Sequence, residues 1–263
     1  MIDVVVVSSK LSNNLYYLSP NSLELHKGDT VIFESDNGLM LGNVIKETYK
    51  EKTNNLILPL LKVVNVAAKK DFLIEEKNSK EAYKALQDAK KMCAKMDLDM
   101  NFFDSYYTFD KSQLVLLFLS ENRVDFRELA KKLAAKYKTR IELRQVGVRD
   151  KAKRIGGLGP CGMFLCCNSF LTDLNSVSIN MAKNQMLALN PSKINGVCGR
   201  LLCCLEYEND IYTELKKDFP KVGLITDTSM GMGKVVSIDI FKKSYSVDLK
   251  EKGIVTFFKD DEK

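Results

Sequence analysis

One seven-residue frame occurs twice in this chain: Cys161-Gly162-Met163-Phe164-Leu165-Cys166-Cys167 returns as Cys198-Gly199-Arg200-Leu201-Leu202-Cys203-Cys204. The shared frame, C-G-x-x-L-C-C, gathers six of the seven cysteines between residues 161 and 204. Thiols at this density either pair as disulfides or bind metal. The start, Met1-Ile2-Asp3-Val4-Val5-Val6-Val7, has no basic leader, and its apolar run is too short for a secretory signal. No stretch approaches the roughly 18 apolar residues of a membrane span. The expectation is a cytoplasmic protein whose thiols stay reduced and whose clustered cysteines ligate metal.

Spacing limits how these thiols converge. Residues five apart on an α-helix stand about 140° apart around its axis. Cys161 and Cys166 therefore cannot face one ion from a regular helix, and neither can Cys198 and Cys203. The chain must bend between them, and Gly162 and Gly199 follow the first cysteine of each copy, where positive φ is tolerated. Adjacent cysteines point about 100° apart in a helix and to opposite faces in a strand. Cys161, Cys166, Cys198 and Cys203 thus form the natural ligand set, with Cys167 and Cys204 as further candidates. The thiol pattern leaves the metal open: structural zinc takes four cysteines, and so do iron–sulfur clusters.

Charge concentrates in the same region. Residues 139–204 carry nine basic and three acidic side chains, an excess equal to the whole chain's +6. Arg154, Lys183, Lys193 and Arg200 could offset the negative charge of a thiolate site. An alternative is a zinc-stabilised nucleic-acid-binding protein. Arg140, Arg144, Arg149, Lys151, Lys153 and Arg154 would then supply the basic approach, and Tyr106, Tyr107 and Phe109 the stacking surfaces. Thiol redox enzymology is the weaker alternative. His26, the sole histidine, reads as a surface turn residue, and the sequence carries no C-x-x-C, Walker loop or Rossmann glycine fingerprint.

The patterning predicts an α+β protein in four parts. Residues 1–60 read as a small β module, with Ser35-Asp36-Asn37-Gly38 turning Thr30–Glu34 back into Leu39–Ile45. Residues 61–147 read as a ferredoxin-like split βαβ unit: a strand near Leu61–Val66 or Phe72–Glu75, a helix from about Lys80 capped by Ser79, strands at 101–109 and 113–119, a helix at 126–137 and a strand at 140–146. Cys93 falls on the first helix's apolar stripe, beside Ala82, Tyr83, Leu86, Ala89 and Met96, and reads as core. Residues 148–218 are the cysteine-rich metal or cluster segment. Residues 219–263 form a second small β module, loosely like the first, with strands at 244–249 and 253–258.

Several runs surround the cysteines: Gln145-Val146-Gly147-Val148-Arg149-Asp150-Lys151-Ala152-Lys153, Gly156-Gly157-Leu158-Gly159-Pro160, Val177-Ser178-Ile179-Asn180-Met181-Ala182-Lys183-Asn184-Gln185 and Leu189-Asn190-Pro191-Ser192-Lys193-Ile194. Together with 198–206 they closely resemble the PSP-type (polymerase-suppressor-like) C-terminal-domain family of YaaT/RicT-like regulatory iron–sulfur subunits. The resemblance spans about residues 60–210 and is densest over 145–206. It implies a non-catalytic cytoplasmic subunit that assembles with small helical YlbF-like and YmcA-like proteins into a complex binding [4Fe-4S] clusters. It further implies action with endoribonuclease Y in mRNA processing and, in spore-forming relatives, effects on sporulation, competence and biofilm formation.

Overall fold

The computed structural model describes residues 1–9, 15–171, 174–250 and 252–259. The chain divides into two compact units, Met1–Thr172 and Asp173–Lys263. The described residues mix helices with three sheets, as an α+β chain should. Among the described residues, no helix is long and apolar enough to cross a membrane.

The first unit opens with β1 (Ile2–Ser9), β2 (Leu15–Leu18), β3 (Thr30–Ser35), β4 (Gly38–Glu51) and β5 (Val63–Val66), in the sheet order β2-β1-β4-β3-β5. The run Val4–Val7 is buried on both faces, which explains why β1 lacks the usual apolar-polar alternation. Val5, Val7, Val31, Phe33, Met40, Val44 and Val63 fill one core. The expected turn joins β3 to β4, with the Ser35 hydroxyl donating to the Gly38 carbonyl at 2.7 Å.

Next come α1 (Lys69–Lys95), β6 (Asn101–Tyr107), β7 (Gln113–Leu119), α2 (Arg127–Tyr137) and β8 (Arg140–Gln145). The helix begins about ten residues before the sequence places it, and Ser79 lies inside it. Its true start is held by the Asp71 carboxylate, which accepts the Ala68 N–H at 2.8 Å. Phe72, Leu73 and Ile74 are exposed on this first part, so no apolar stripe announces the helix before Ala82. Ala82, Ala85, Leu86, Ala89 and Cys93 are buried, whereas Tyr83 is exposed.

The sheet beside this helix holds three strands, ordered β6-β7-β8, with β7 and β8 parallel. This corrects the four-stranded ferredoxin-like expectation. In that arrangement the first strand would lie between β7 and β8, but these two pair directly from Gln113↔Arg140 to Phe118↔Gln145. Val63–Val66 pairs with β3 in the first sheet instead, where Val63 packs into its core, and residues 72–75 are helical. Leu114, Leu116 and Phe118 of β7 share a core with α1 and α2. Cys93 sits in that core, donating to the Leu98 carbonyl at 3.1 Å, and burial pushes its thiol pKa up. Cys93→Ser should keep this hydrogen bond and cost roughly 1–2 kcal/mol of stability through imperfect burial of a hydroxyl. Urea denaturation would measure the loss, and metal content should stay at the wild-type level.

After α3 (Val148–Ile155) and α4 (Cys166–Ser169), the second unit contains α5 (Ile179–Asn184), α6 (Pro191–Ile194), α7 (Cys203–Tyr207) and α8 (Asn209–Leu215). It ends in an antiparallel meander of β9 (Ile225–Thr228), β10 (Gly231–Asp239), β11 (Ser244–Asp248) and β12 (Ile254–Phe258). Val235, Ile238, Tyr245, Val247 and Phe257 form its core, against which Tyr212 and Phe219 pack.

The loose likeness between the two β modules has a structural counterpart. The Gly28 N–H donates to the Val44 carbonyl at 2.9 Å, and the Gly223 N–H to the Val235 carbonyl at 2.8 Å. Both glycines have positive φ, 98° and 89°. Two residues before the accepting valine, Gly42 and Gly233 each lie against the neighbouring strand. A Cβ there would sit 2.5 Å from a valine methyl, of Val7 and Val247 respectively. Gly233→Ala should therefore cost about 1–3 kcal/mol by overpacking, read as a lowered thermal midpoint.

Candidate metal centre

The two C-G-x-x-L-C-C copies fold into the same knuckle. In the first, a bridge pairs Leu158 with Phe164; in the second, Asn195 pairs with Leu201. The Gly159 N–H donates to the Met163 carbonyl and the Gly196 N–H to the Arg200 carbonyl, both at 2.8 Å. A tight turn closes each tip, from the Gly162 N–H to the Gly159 carbonyl at 3.0 Å and from the Gly199 N–H to the Gly196 carbonyl at 2.9 Å. A third bond, the other half of the bridge, runs from the Leu165 N–H to the Gly157 carbonyl at 3.1 Å and from the Leu202 N–H to the Ile194 carbonyl at 2.9 Å.

The expected bend is present at Gly162 and Gly199, with φ of 79° and 78°. Each leucine after it turns the chain into a short helix, α4 or α7, so that Cys166 and Cys203 occupy the first helical position. One cysteine of each copy therefore lies on the knuckle tip and two on the following helix. Gly159 and Gly196 lie beside the tips: a Cβ on either would be in ordinary van der Waals contact with the tip cysteine's Sγ, at 3.5 Å from Cys161 and 3.9 Å from Cys198.

Among the described residues no two cysteines are joined in a disulfide. Cys161 is exposed; Cys166, Cys198, Cys203 and Cys204 are half-buried, and Cys167 is buried. Six soft sulfur donors on two matched bends fit the chemistry of zinc or an iron–sulfur cluster. Among the described residues, no three Cys, His, Asp or Glu side chains converge. Each knuckle supplies only three cysteines, so a four-thiolate group also needs ligands from outside that knuckle.

The basic candidates separate into different roles. Arg154 anchors α3 to β6: its Nε donates to Asp104 Oδ2 at 2.5 Å, and its guanidinium lies 5.7 Å from the centre of the Tyr106 ring. Lys151 lies 5.7 Å above the Phe103 ring. Arg149 Nε is buried and has no hydrogen-bond partner among the described residues. The Lys153 carbonyl accepts from the Asn168 side chain at 2.8 Å, tying α3 to the first knuckle's helix. Arg200 is exposed on the second knuckle, in the other unit. Arg144 pairs with Glu142 at 2.6 Å. Tyr107 is buried in the core, and burial raises the pKa of Tyr106, so these rings are packing elements rather than an open stacking platform. His26 lies exposed in a turn, its N–H donating to Asp29 Oδ2 at 2.8 Å.

Sequence reasoning passed over the residues that brace the second knuckle. Gln185 Nε2 donates to the Leu205 carbonyl at 2.7 Å, and Asn184 Nδ2 reaches Thr213 Oγ1 at 2.8 Å. Tyr212 packs from α8 onto the C-terminal core; burial chiefly raises its pKa, with Glu208 and Cys204 adding to the rise. Asn184 and Gln185 appear in the sequence only within the run 177–185, where nothing local marks them as braces.

Two family descriptions match the chain: the PSP1 C-terminal conserved region over residues 61–146 and the PSP1-like protein, third domain, over residues 176–219. The chain is also 45% identical over 249 residues to the stage 0 sporulation protein YaaT of Bacillus subtilis (strain 168), covering 95% of this chain and 90% of that one. It belongs to the PSP1-like family. No solved structure matches it. The first family region coincides with α1, the three-stranded sheet and α2, and the second contains the second knuckle with its bracing helices. The first knuckle lies between the two matched regions.

Proposed function

We propose that this chain is a non-catalytic regulatory subunit of the sporulation-control type that holds an iron–sulfur cluster and modulates endoribonuclease Y-dependent mRNA processing in the cytoplasm. The observation that carries the reading is the pair of matched knuckles, each presenting one tip thiol and two helical thiols. Cys161, Cys166, Cys198 and Cys203 are the residues that would hold a [4Fe-4S] cluster, with Cys167 and Cys204 as further ligands or packing residues. A bound cluster would supply a link whose integrity depends on iron and oxidant, and the knuckle loops would be ordered by it. The relative's name supports the sporulation context. Small helical proteins of the YlbF-like and YmcA-like type are the partners through which the subunit would act.

Iron, acid-labile sulfide and zinc, measured on protein isolated anaerobically from its own host, test this. Iron and sulfide in comparable amounts are expected. Stoichiometric zinc without iron would replace the iron–sulfur reading with the zinc-stabilised alternative.

A further inference from the structure

The two β modules are one sheet threaded in two chain orders. Gly28 and Gly223 each open a G1 bulge: the Val44 N–H returns to the Asp29 carbonyl at 2.8 Å, and the Val235 N–H to the Leu224 carbonyl at 2.9 Å. Both following hairpins turn on a hydroxyl. Ser35 Oγ donates to the Gly38 carbonyl and accepts the Asn37 N–H at 3.3 Å; Thr228 Oγ1 donates to the Gly231 carbonyl at 2.6 Å and accepts the Met230 N–H at 3.3 Å. Past each valine the register slips by one residue, at Ile45 and at Val236. Val44 faces Val7, which faces Tyr16; Val235 faces Val247, which faces Val255. Strands β9, β10, β11 and β12 therefore correspond to β3, β4, β1 and β2, and the orders β12-β11-β10-β9 and β2-β1-β4-β3 coincide. Only the chain order of the two hairpins is exchanged.

β5 has no counterpart. In the first module it lies on the outer edge of β3, where the Ala67 N–H donates to the Thr30 carbonyl at 2.8 Å and the Glu34 N–H to the Lys62 carbonyl at 3.0 Å. Its other side meets the end of β2, with the Val63 N–H donating to the Ser19 carbonyl at 3.0 Å, so β5 closes the sheet on itself. Its inward side chain, Val63, is fully buried. Among the described residues the second sheet stops at β9. Leu224, Thr226 and Thr228 turn their backbone groups toward β10, so those of Ile225 and Asp227, at the places of Thr30 and Ile32, point away from the sheet. Ile225 is 70% exposed, and Leu224 and Phe258, the latter at the place of Ser19, are exposed too.

We propose that β9 takes up an extended segment of a partner protein as a fifth strand, antiparallel to it, completing the second module as β5 completes the first. A bare row of alternating N–H and C=O groups is matched by another extended backbone. Thr226 and Thr228 are half-buried where the first module has Val31 and Phe33, so the inward residue of the segment is small and β-branched, as Val63 is. Its outward residue facing Asp227 is a lysine or arginine, at the place where Asn65 faces Ile32. A second copy of β9 fits less well, because full pairing of two such edges sets their Asp227 carboxylates opposite or diagonal to each other on one face.

The probe is a synthetic peptide of residues 60–68, which contains β5, used as it stands and with Asn65→Lys. It is titrated into the full chain while backbone amide exchange is followed at Ile225 and Asp227. Both amides should exchange freely in the chain alone and slow at least about tenfold with peptide. The Asn65→Lys peptide should bind more tightly, with an advantage that shrinks as salt rises. Asp227→Pro removes one outward N–H and no bond to β10, and should abolish binding with circular dichroism unchanged. Asp227→Lys, which leaves every backbone group in place, should reverse the preference between the two peptides. Amides already protected in the chain alone would overturn the proposal, and so would a peptide that leaves them unprotected or binds Asp227→Lys with the same preference. Self-association that protects the same two amides would overturn it in favour of a second copy.

Discussion

Cys198→Ser should strip the bound metal almost completely, and Cys161→Ser should do the same. Both cysteines sit on the tips of their knuckles, each followed by a glycine with positive φ and open space around it. Serine keeps the turn and the bonds that build the knuckle, because those bonds run between backbone groups alone. It replaces a soft thiolate by a hydroxyl that binds zinc or iron poorly. The expected result is loss of iron and sulfide with secondary structure retained, read together by elemental analysis and circular dichroism. Cys166→Ser and Cys203→Ser should behave alike. Cys167→Ser should lower stability more than metal content, since Cys167 is the buried member of the six. If Cys93→Ser removed metal as fully as Cys198→Ser, the assignment of the ligands to the two knuckles would be wrong.

Deleting the gene should change the processing of particular transcripts, and a chain carrying Cys161→Ser or Cys198→Ser should fail to restore it. The pure protein should show no nuclease activity. Side-chain hydrogen bonds join each knuckle to its surroundings. In the first unit, Asn168 links α4 to the end of α3; in the second, Gln185 and Asn184 link α5 to α7 and α8. Disorder in a knuckle that has lost its metal would therefore spread to the faces a partner reads. Sequencing of transcript ends in the deletion strain would measure the effect. Robust RNA cleavage by the pure chain, abolished by a point substitution that leaves folding intact, would overturn the regulatory reading.

What could be read from the sequence follows from which signals are local. The knuckle bends were legible because five-residue spacing forbids a helix and a glycine stands where positive φ is needed. Strands β6, β7 and β8 and helix α2 were legible because their apolar periods are strong and their turns short. The start of α1 was hidden: its first ten residues bury little, and its cap is Asp71 reaching back to Ala68. The placement of Val63–Val66 was hidden for a different reason. A four-residue strand with one buried side chain carries no record of which sheet it joins, and the choice lies in its partners Val31 and Phe33. Local charge was equally blind to pairing. Arg154 reads as part of a basic approach, but its partner Asp104 is fifty residues away in sequence.

The likeness of the two knuckles also bears on oxidation. Six thiols admit on the order of fifteen complete pairings, and two equal frames give the chain little to favour one pairing over another. Protein that loses its metal in air should therefore yield a mixture of disulfide isomers, resolved as many peaks in peptide mapping, and not one defined oxidised form. A thiol–disulfide catalyst needs a single pair that closes and reopens reproducibly; a chain built this way has a unique covalent structure only while its cysteines are reduced or bound.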